Sequence, residues 1–203
     1  QTGARQLSFD GLEGNFATGL GEYGTALFTA AWYRNLSPQL RGRVINDASM
    51  PGHYNWHTNT RMNWGEPWYA GFRESQTRYR LQNQDYFRRN LMPPMLGWFA
   101  LRPDTTLEDA EWLLARAAGF DAGFALATSM EFCGHQASVQ QQQGAQPTEL
   151  DAILAAVHTW ESARHAGAFP ASLKAALQDI DQEFHLEAAG AEAWELYPAY
   201  SLK

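Results

Sequence analysis

Four short apolar runs, each followed by a loop and then a helical stretch, set the narrowest limit on how this chain can fold. The first, Leu7-Ser8-Phe9, runs into Asp10-Gly11-Leu12-Glu13-Gly14 and a helix near 22–36. The second, Val44-Ile45-Asn46-Asp47, leads into a long aromatic loop and a polar, outward-lying helix near 74–90. The third, 95–99, follows Pro93-Pro94, and the fourth, 122–128, is almost continuously apolar. A continuous run of that kind suits a strand buried on both faces. Strand–helix alternation argues for parallel strands joined by crossover helices. Four such units make half of a (β/α)8 barrel, whose usual length is about 250 residues. A four-stranded parallel sheet alone leaves two open edges.

The expected fold class is therefore α/β: the C-terminal half of a (β/α)8 (TIM) barrel, with about four parallel strands and extra C-terminal helices. It would span 1–190, with 191–203 a strand or extended link towards a following module. A small open α/β sheet, covered on one face by the C-terminal helices, is the alternative. The first helix is expected to bury Leu27, Phe28, Ala31 and Trp32 and to end at Ser37-Pro38. Thr105 with Glu108 reads as a capping box. It opens a helix with an apolar stripe of Ala110, Leu113, Leu114 and Ala117, closed by Gly119. Thr148 caps a helix that buries Leu150, Ile153, Leu154 and Val157, broken at Gly167 and Pro170. A last helix carries Leu173, Leu177, Ile180 and Phe184 in register.

Composition excludes some classes of partner. The net charge is −7, which argues against a nucleic-acid backbone. Lysine occurs only at Lys174 and Lys203, so no polybasic patch faces an anionic membrane. No apolar run reaches the length of a membrane span. Cys133 is the single cysteine, so no internal disulfide is expected. The chain opens on Gln1 without a charged-then-apolar leader, and reads as a processed product or an excised piece.

The 203 residues include 8 Trp, and the segment 44–74 concentrates them. Trp56, Trp64, Trp68, Tyr54, Tyr69 and Phe72 alternate there with His53, His57, Arg61, Glu66, Arg73 and Glu74. Rings this dense on a loop either form a small satellite core or serve a ligand. Flat apolar faces beside carboxylates and guanidinium groups suit a sugar: rings stack on its C–H face while polar groups bind its hydroxyls.

Three motifs carry a resemblance: Phe9-Asp10-Gly11-Leu12-Glu13-Gly14, the 63–74 run containing Asn63-Trp64-Gly65-Glu66-Pro67-Trp68, and Met95-Leu96-Gly97-Trp98-Phe99. Over roughly 6–200 the chain resembles the large, poorly characterised bacterial putative glycoside hydrolases of polysaccharide degraders. The resemblance implies a catalytic (β/α)8 barrel, with the remaining barrel half and a β-sandwich module of the parent chain as partners. A periplasmic or secreted parent is expected.

Barrel sites gather at the carboxyl ends of strands. Those positions hold Asp10 and Glu13, Asp47, Trp98 and Arg102, and Thr128 and Glu131. Several carboxylates and few bases suit glycoside hydrolysis, in which one carboxyl group protonates the leaving oxygen. The other attacks the sugar or activates water. Asp10 and Asp47 are the first candidates for the chemistry, with Glu13 and Glu66 in reserve. Turn and cap roles are the structural alternatives for both aspartates. Trp-Gly-Glu-Pro around Glu66 resembles the Asn-Glu-Pro acid/base motif of barrel glycosidases, with Gly in place of Asn. His53, Trp56, Arg61, Trp64, Trp68, Arg73, Trp98 and Glu131 are the expected substrate contacts. His53 and His57 stand four apart, but Pro51-Gly52 argues against the helix a zinc pair would need. Neither metal nor cofactor is expected. Oligosaccharide or polysaccharide is the expected ligand, with hydrolysis by the full-length parent or binding by a non-catalytic barrel as the two outcomes.

Overall fold

The computed structural model describes residues 5–48, 55–62, 72–74, 77–134, 138 and 148–199; for Glu13, Trp56, Arg61, Met62 and 77–79 it describes the backbone alone. Helices and short strands alternate in a mixed α/β arrangement. The chain divides into two compact units, Gln1–Gly65 with Tyr79–Gly97, and Glu66–Arg78 with Trp98–Lys203.

In the first unit β1 (Gln6–Phe9), β2 (Ile45–Ala48) and β3 (Arg61–Met62) form a parallel sheet in the order β1-β2-β3. The strand β3 lies inside the segment read as one continuous loop. Thr60 holds it in place. The Thr60 N–H and hydroxyl both donate to the Asn46 carbonyl, at 2.9 and 2.7 Å, and the Asn46 N–H donates to the Thr60 hydroxyl at 2.8 Å.

Between β1 and β2 a 3-10 turn (Leu12–Thr18) leads to α1 (Glu22–Asn35). The buried residues of α1 are Gly24, Thr25 and Thr29, whereas Leu27 and Phe28 are 44% and 41% exposed. This corrects the expected apolar face. A Cβ at Gly24 would stand 3.2 Å from the Asn15 carbonyl oxygen, so the helix docks closely on the preceding turn. The Thr25 hydroxyl donates to the Leu12 carbonyl at 3.4 Å. Phe28 and Trp32 still reach Phe9, edge to face at 5.4 and 5.1 Å.

The polar helix α2 (Thr77–Arg89) buries Arg80, Gln84 and Phe87. Gln84 donates through Nε2 to the carbonyls of Arg80 and Met95, at 2.7 and 2.9 Å. Burial lowers the Arg80 pKa to about 10, because desolvation penalises the charged form.

The strand β4 (Met95–Ala100) continues into the second unit and pairs with β5 (Gly123–Ala127). The Leu101 N–H donates to the Ala127 carbonyl at 2.8 Å. The carboxyl ends of the two strands therefore lie side by side, and the strands run parallel. Between them α3 (Leu107–Phe120) is buried from Ala110 through Gly119. Thr106, not Thr105, is its N-cap, in a reciprocal capping box with Asp109. Thr105 instead accepts the Arg102 N–H at 2.9 Å. The helix runs past Gly119 to Asp121, which takes the left-handed conformation at φ 55. Gly119 serves another purpose: a Cβ there would lie 2.9 Å from backbone atoms of Leu177 and Gln178.

Residues 130–134 are helical (α4), and α5 (Glu149–His165) and α6 (Ala171–Leu177) follow. Thr148 caps α5 in a capping box with Asp151, and Ile153 is buried as expected, but Leu154 is exposed. Trp160 and Ala163 take its place in the core. The last helix stops at Leu177. Asp179 then accepts the Asp181 N–H at 3.0 Å and the Gln182 side chain at 2.9 Å, making a turn that redirects the chain. Phe184 is buried, but on a strand. There β6 (Glu183–Gly190) and β7 (Ala193–Ala199) form an antiparallel hairpin.

One core cluster joins α3, α5, α6 and β6 through Leu114, Ala118, Trp160, Leu177, Phe184 and Leu186. A second gathers Leu101, Ala110, Phe132 and Ile153. Two charged residues of α3 are also buried. The Arg116 guanidinium stacks over Trp112 at 4.9 Å and donates to the carbonyls of Trp112, Asp179 and Gln182. Its burial lowers its pKa to about 10. Glu111 Oε1 accepts the Trp160 indole N–H at 3.1 Å and the Leu186 N–H at 3.2 Å, and His185 Nδ1 lies 2.8 Å from Oε2. Buried charges are tolerated only when paired in this way.

Candidate functional site

In the first unit the parallel register pairs Ser8 with Asp47 and Phe9 with Ala48. Asp10 directly follows β1, so both aspartates stand at the carboxyl end of neighbouring strands. Their surroundings differ. Asp47 is 1% exposed. Asp10 is exposed, and its Oδ1 accepts the Gly11 N–H at 2.8 Å. Gly11 takes φ +71, a left-handed conformation that glycine adopts without steric cost. Glu13 follows on the 3-10 turn, its side chain outside the described set.

The aromatic segment is described in part. His53, Trp64, Glu66 and Trp68 lie outside the described residues, and the side chains of Trp56 and Arg61 do too. Arg61 opens β3 opposite Asp47. Arg73 belongs to the second unit. Its Nε lies 2.5 Å from an Asp109 oxygen, its Nη1 pairs with Glu183, and its guanidinium stands over Trp112 at 5.9 Å. Those two carboxylates raise its pKa against the opposing effect of burial. The pairing ties the arginine to the start of α3 and to β6.

In the second unit the carboxyl ends of β4 and β5 border a concave space of about 670 Å3. Its walls include Arg102, Asp104, Thr128, Ser129 and Glu131. Local chemistry sets each of them. The Arg102 N–H bond to Thr105 fixes the turn after β4. The Ser129 hydroxyl accepts the Phe132 N–H at 3.1 Å and starts α4. Phe132 is buried in the second core cluster, and Glu131 beside it is exposed at the cavity. Trp98 shares a face of β4 with the cavity-lining Ala100, by the two-residue alternation of a strand. A cation, two carboxylates and two hydroxyls around a concave space of this size can orient a hydroxyl-rich ligand.

The sequence reading identified Arg102, Thr128 and Glu131 from strand-end position alone. It missed Asp104 and Ser129, although a serine directly after a strand is a helix-start signal. It also missed the Glu111–His185 pair, whose partners are far apart in sequence. His185 Nε2 lies 3.2 Å from Glu187, and the His185 ring stacks on Tyr197 at 6.5 Å. Glu111 foremost raises the His185 pKa, Glu187 adds to it, and desolvation opposes both.

Among the described residues no cluster of three or more His, Cys, Asp or Glu is arranged to hold a metal ion. No described helix is long and apolar enough to cross a membrane. Comparison with protein-family models, curated proteins and solved structures finds no match. The functional reading therefore rests on geometry and chemistry alone.

Proposed function

We propose that this chain is the C-terminal half of the (β/α)8 barrel of a bacterial glycoside hydrolase. Asp10 and Asp47 would act as the carboxylate pair, with Glu13 and Glu66 in reserve. The observation that carries the reading is the parallel pairing of β1 and β2, with one aspartate at the carboxyl end of each. Carboxyl-end acids are where a barrel hydrolase keeps its chemistry. The rim of β4 and β5, open and lined by Arg102, Asp104 and Glu131, supports a saccharide as ligand.

The test is turnover of a panel of polysaccharides and aryl glycosides by the intact parent protein. Asp10→Asn and Asp47→Asn should each lower kcat by about 10²–10⁴-fold, with the fold retained by circular dichroism. Turnover unchanged in Asp10→Asn would remove that residue from the chemistry.

A second reading is a non-catalytic carbohydrate-binding barrel. The Asp10–Gly11 hydrogen bond favours it, because a turn-forming aspartate needs no catalytic role. Saccharide binding without turnover on any substrate of the panel would select it.

A further inference from the structure

The charged residues of the first unit separate by end. That unit holds eight arginines, no lysine, and five aspartates and glutamates. Asp10, Glu13 and Asp47 lie at or just beyond the carboxyl ends of β1 and β2, and Glu22 opens α1, which starts from that end. The fifth acid, Asp85, pairs with Arg88 at 2.7 Å. Because β1 and β2 are parallel, α1 returns to the opposite end. Arg34 in its last turn, Arg41 and Arg43 in the loop after it, and Arg5 before β1 therefore all stand at the amino ends. We propose that this arginine-bearing end docks on the acidic outward face of the β6–β7 hairpin of a second copy of the chain.

Three observations carry the assignment. First, the four arginines are exposed, and among the described residues none of them enters an ion pair. Arg41 is held in place, donating through Nε and Nη2 to the carbonyls of Leu36 and Arg34 at 3.1 and 2.6 Å. The Arg5 carbonyl accepts the Ile45 N–H at 2.9 Å, which brings Arg5 beside the start of β2. A guanidinium keeps its charge and offers carboxylates a two-pronged donor.

Second, the hairpin register sets Glu187 directly opposite Glu195. Like charges so placed destabilise a sheet, and a cation set between them relieves the repulsion. Phe184 and Leu186 are buried, so strand alternation turns Glu187 outward, and Glu195 is exposed across from it. Glu187 has His185 Nε2 at 3.2 Å, and Glu195 accepts the Tyr197 hydroxyl. Among the described residues neither carboxylate pairs with a lysine or arginine.

Third, the imbalance extends through the chain. The second unit carries seventeen aspartates and glutamates against seven lysines and arginines. Every copy thus presents both members of a complementary pair of surfaces. The contact is heterologous, one patch of a copy meeting a different patch of the next. Exposed ion pairs are individually weak and screened by salt, so the association is salt-sensitive.

Sedimentation velocity of the full chain over a range of protein concentrations tests this. Lowering NaCl from about 1 M to about 0.01 M lengthens electrostatic screening from about 3 Å to about 30 Å. At low salt the weight-average mass should rise with protein concentration, and high salt should weaken the association by about tenfold or more. Arg34→Glu with Arg43→Glu, or Glu187→Arg with Glu195→Arg, should each leave a monomer of unchanged circular dichroism. An equimolar mixture of the two reversed proteins should associate again, because each reversed surface meets its reversed partner. A chain that stays monomeric at low salt, association indifferent to salt or to either reversal, or a mixture no more associated than its components would each overturn the proposal.

Discussion

Glu111 shows how much one side chain can organise. It sits buried on α3 and receives hydrogen bonds from Trp160 on α5 and Leu186 on β6, with His185 against its second oxygen. The first effect on His185 is the bond to Glu111, and it raises the imidazole pKa. The sign of the stability effect follows from linkage. A raised folded-state pKa stabilises the fold fully below the unfolded value, about 6.5. That contribution is lost as pH rises through the folded pKa. Urea unfolding should therefore show stability falling across that window. Glu111→Gln keeps an acceptor for Trp160 but removes the charge. It should lower the His185 pKa, followed by NMR titration, and flatten the pH dependence. A His185 titration unchanged in Glu111→Gln would contradict the pairing. None of this was legible in sequence, because residues 111 and 185 meet only through tertiary packing.

At the scale of elements, the four strand positions were legible because short β-branched and apolar runs between turn residues report strands locally. The α5 cap was legible for the same reason, since Thr148 and Asp151 are three residues apart. Helix faces and ends were read less well. On α1, periodicity pointed to Leu27 and Phe28, while close docking on a turn selected Gly24, Thr25 and Thr29 instead. The pattern through Phe184 continued beyond α6 because strand and helix periods overlap over so few residues. Gly119 was read as a helix stop, yet it marks the close approach of α6 to α3. This reversal gives a prediction of definite sign. Helix propensity alone would make Gly119→Ala stabilising by about 1 kcal/mol. The 2.9 Å approach to the Leu177 and Gln178 backbone should dominate, with a net loss of about 1–3 kcal/mol as for overpacking. Chemical denaturation measures it, and a variant as stable as the parent would disprove the close contact.

At the scale of the whole molecule, strand–helix alternation conveyed the mixed α/β class but not the grouping of the strands. Three strands join in one sheet, β4 pairs with β5, and β6 with β7. Sequence alternation records which elements occur, and hydrogen-bond register decides which of them pair. Of the β6–β7 hairpin only the second strand was legible, as the strand or extended link of the tail; β6 was read as helix, because Glu111, Arg116 and Arg73 secure its start from distant positions. The placement of candidate residues was legible where it depends on strand ends, at Asp10 and Asp47 in the first unit and at Arg102 in the second. It was not legible at β3, which requires Thr60 to return beside Asn46. The central claim is that Asp10 and Asp47 act together on a glycosidic bond. A crystal structure of the intact parent with a thio-linked, non-hydrolysable oligosaccharide tests it most directly. We predict the sulfur between the two carboxyl groups, at a separation of about 5–5.5 Å for retention or 6.5–9.5 Å for inversion. A saccharide bound elsewhere, or carboxyl groups more than about 10 Å apart, would contradict it.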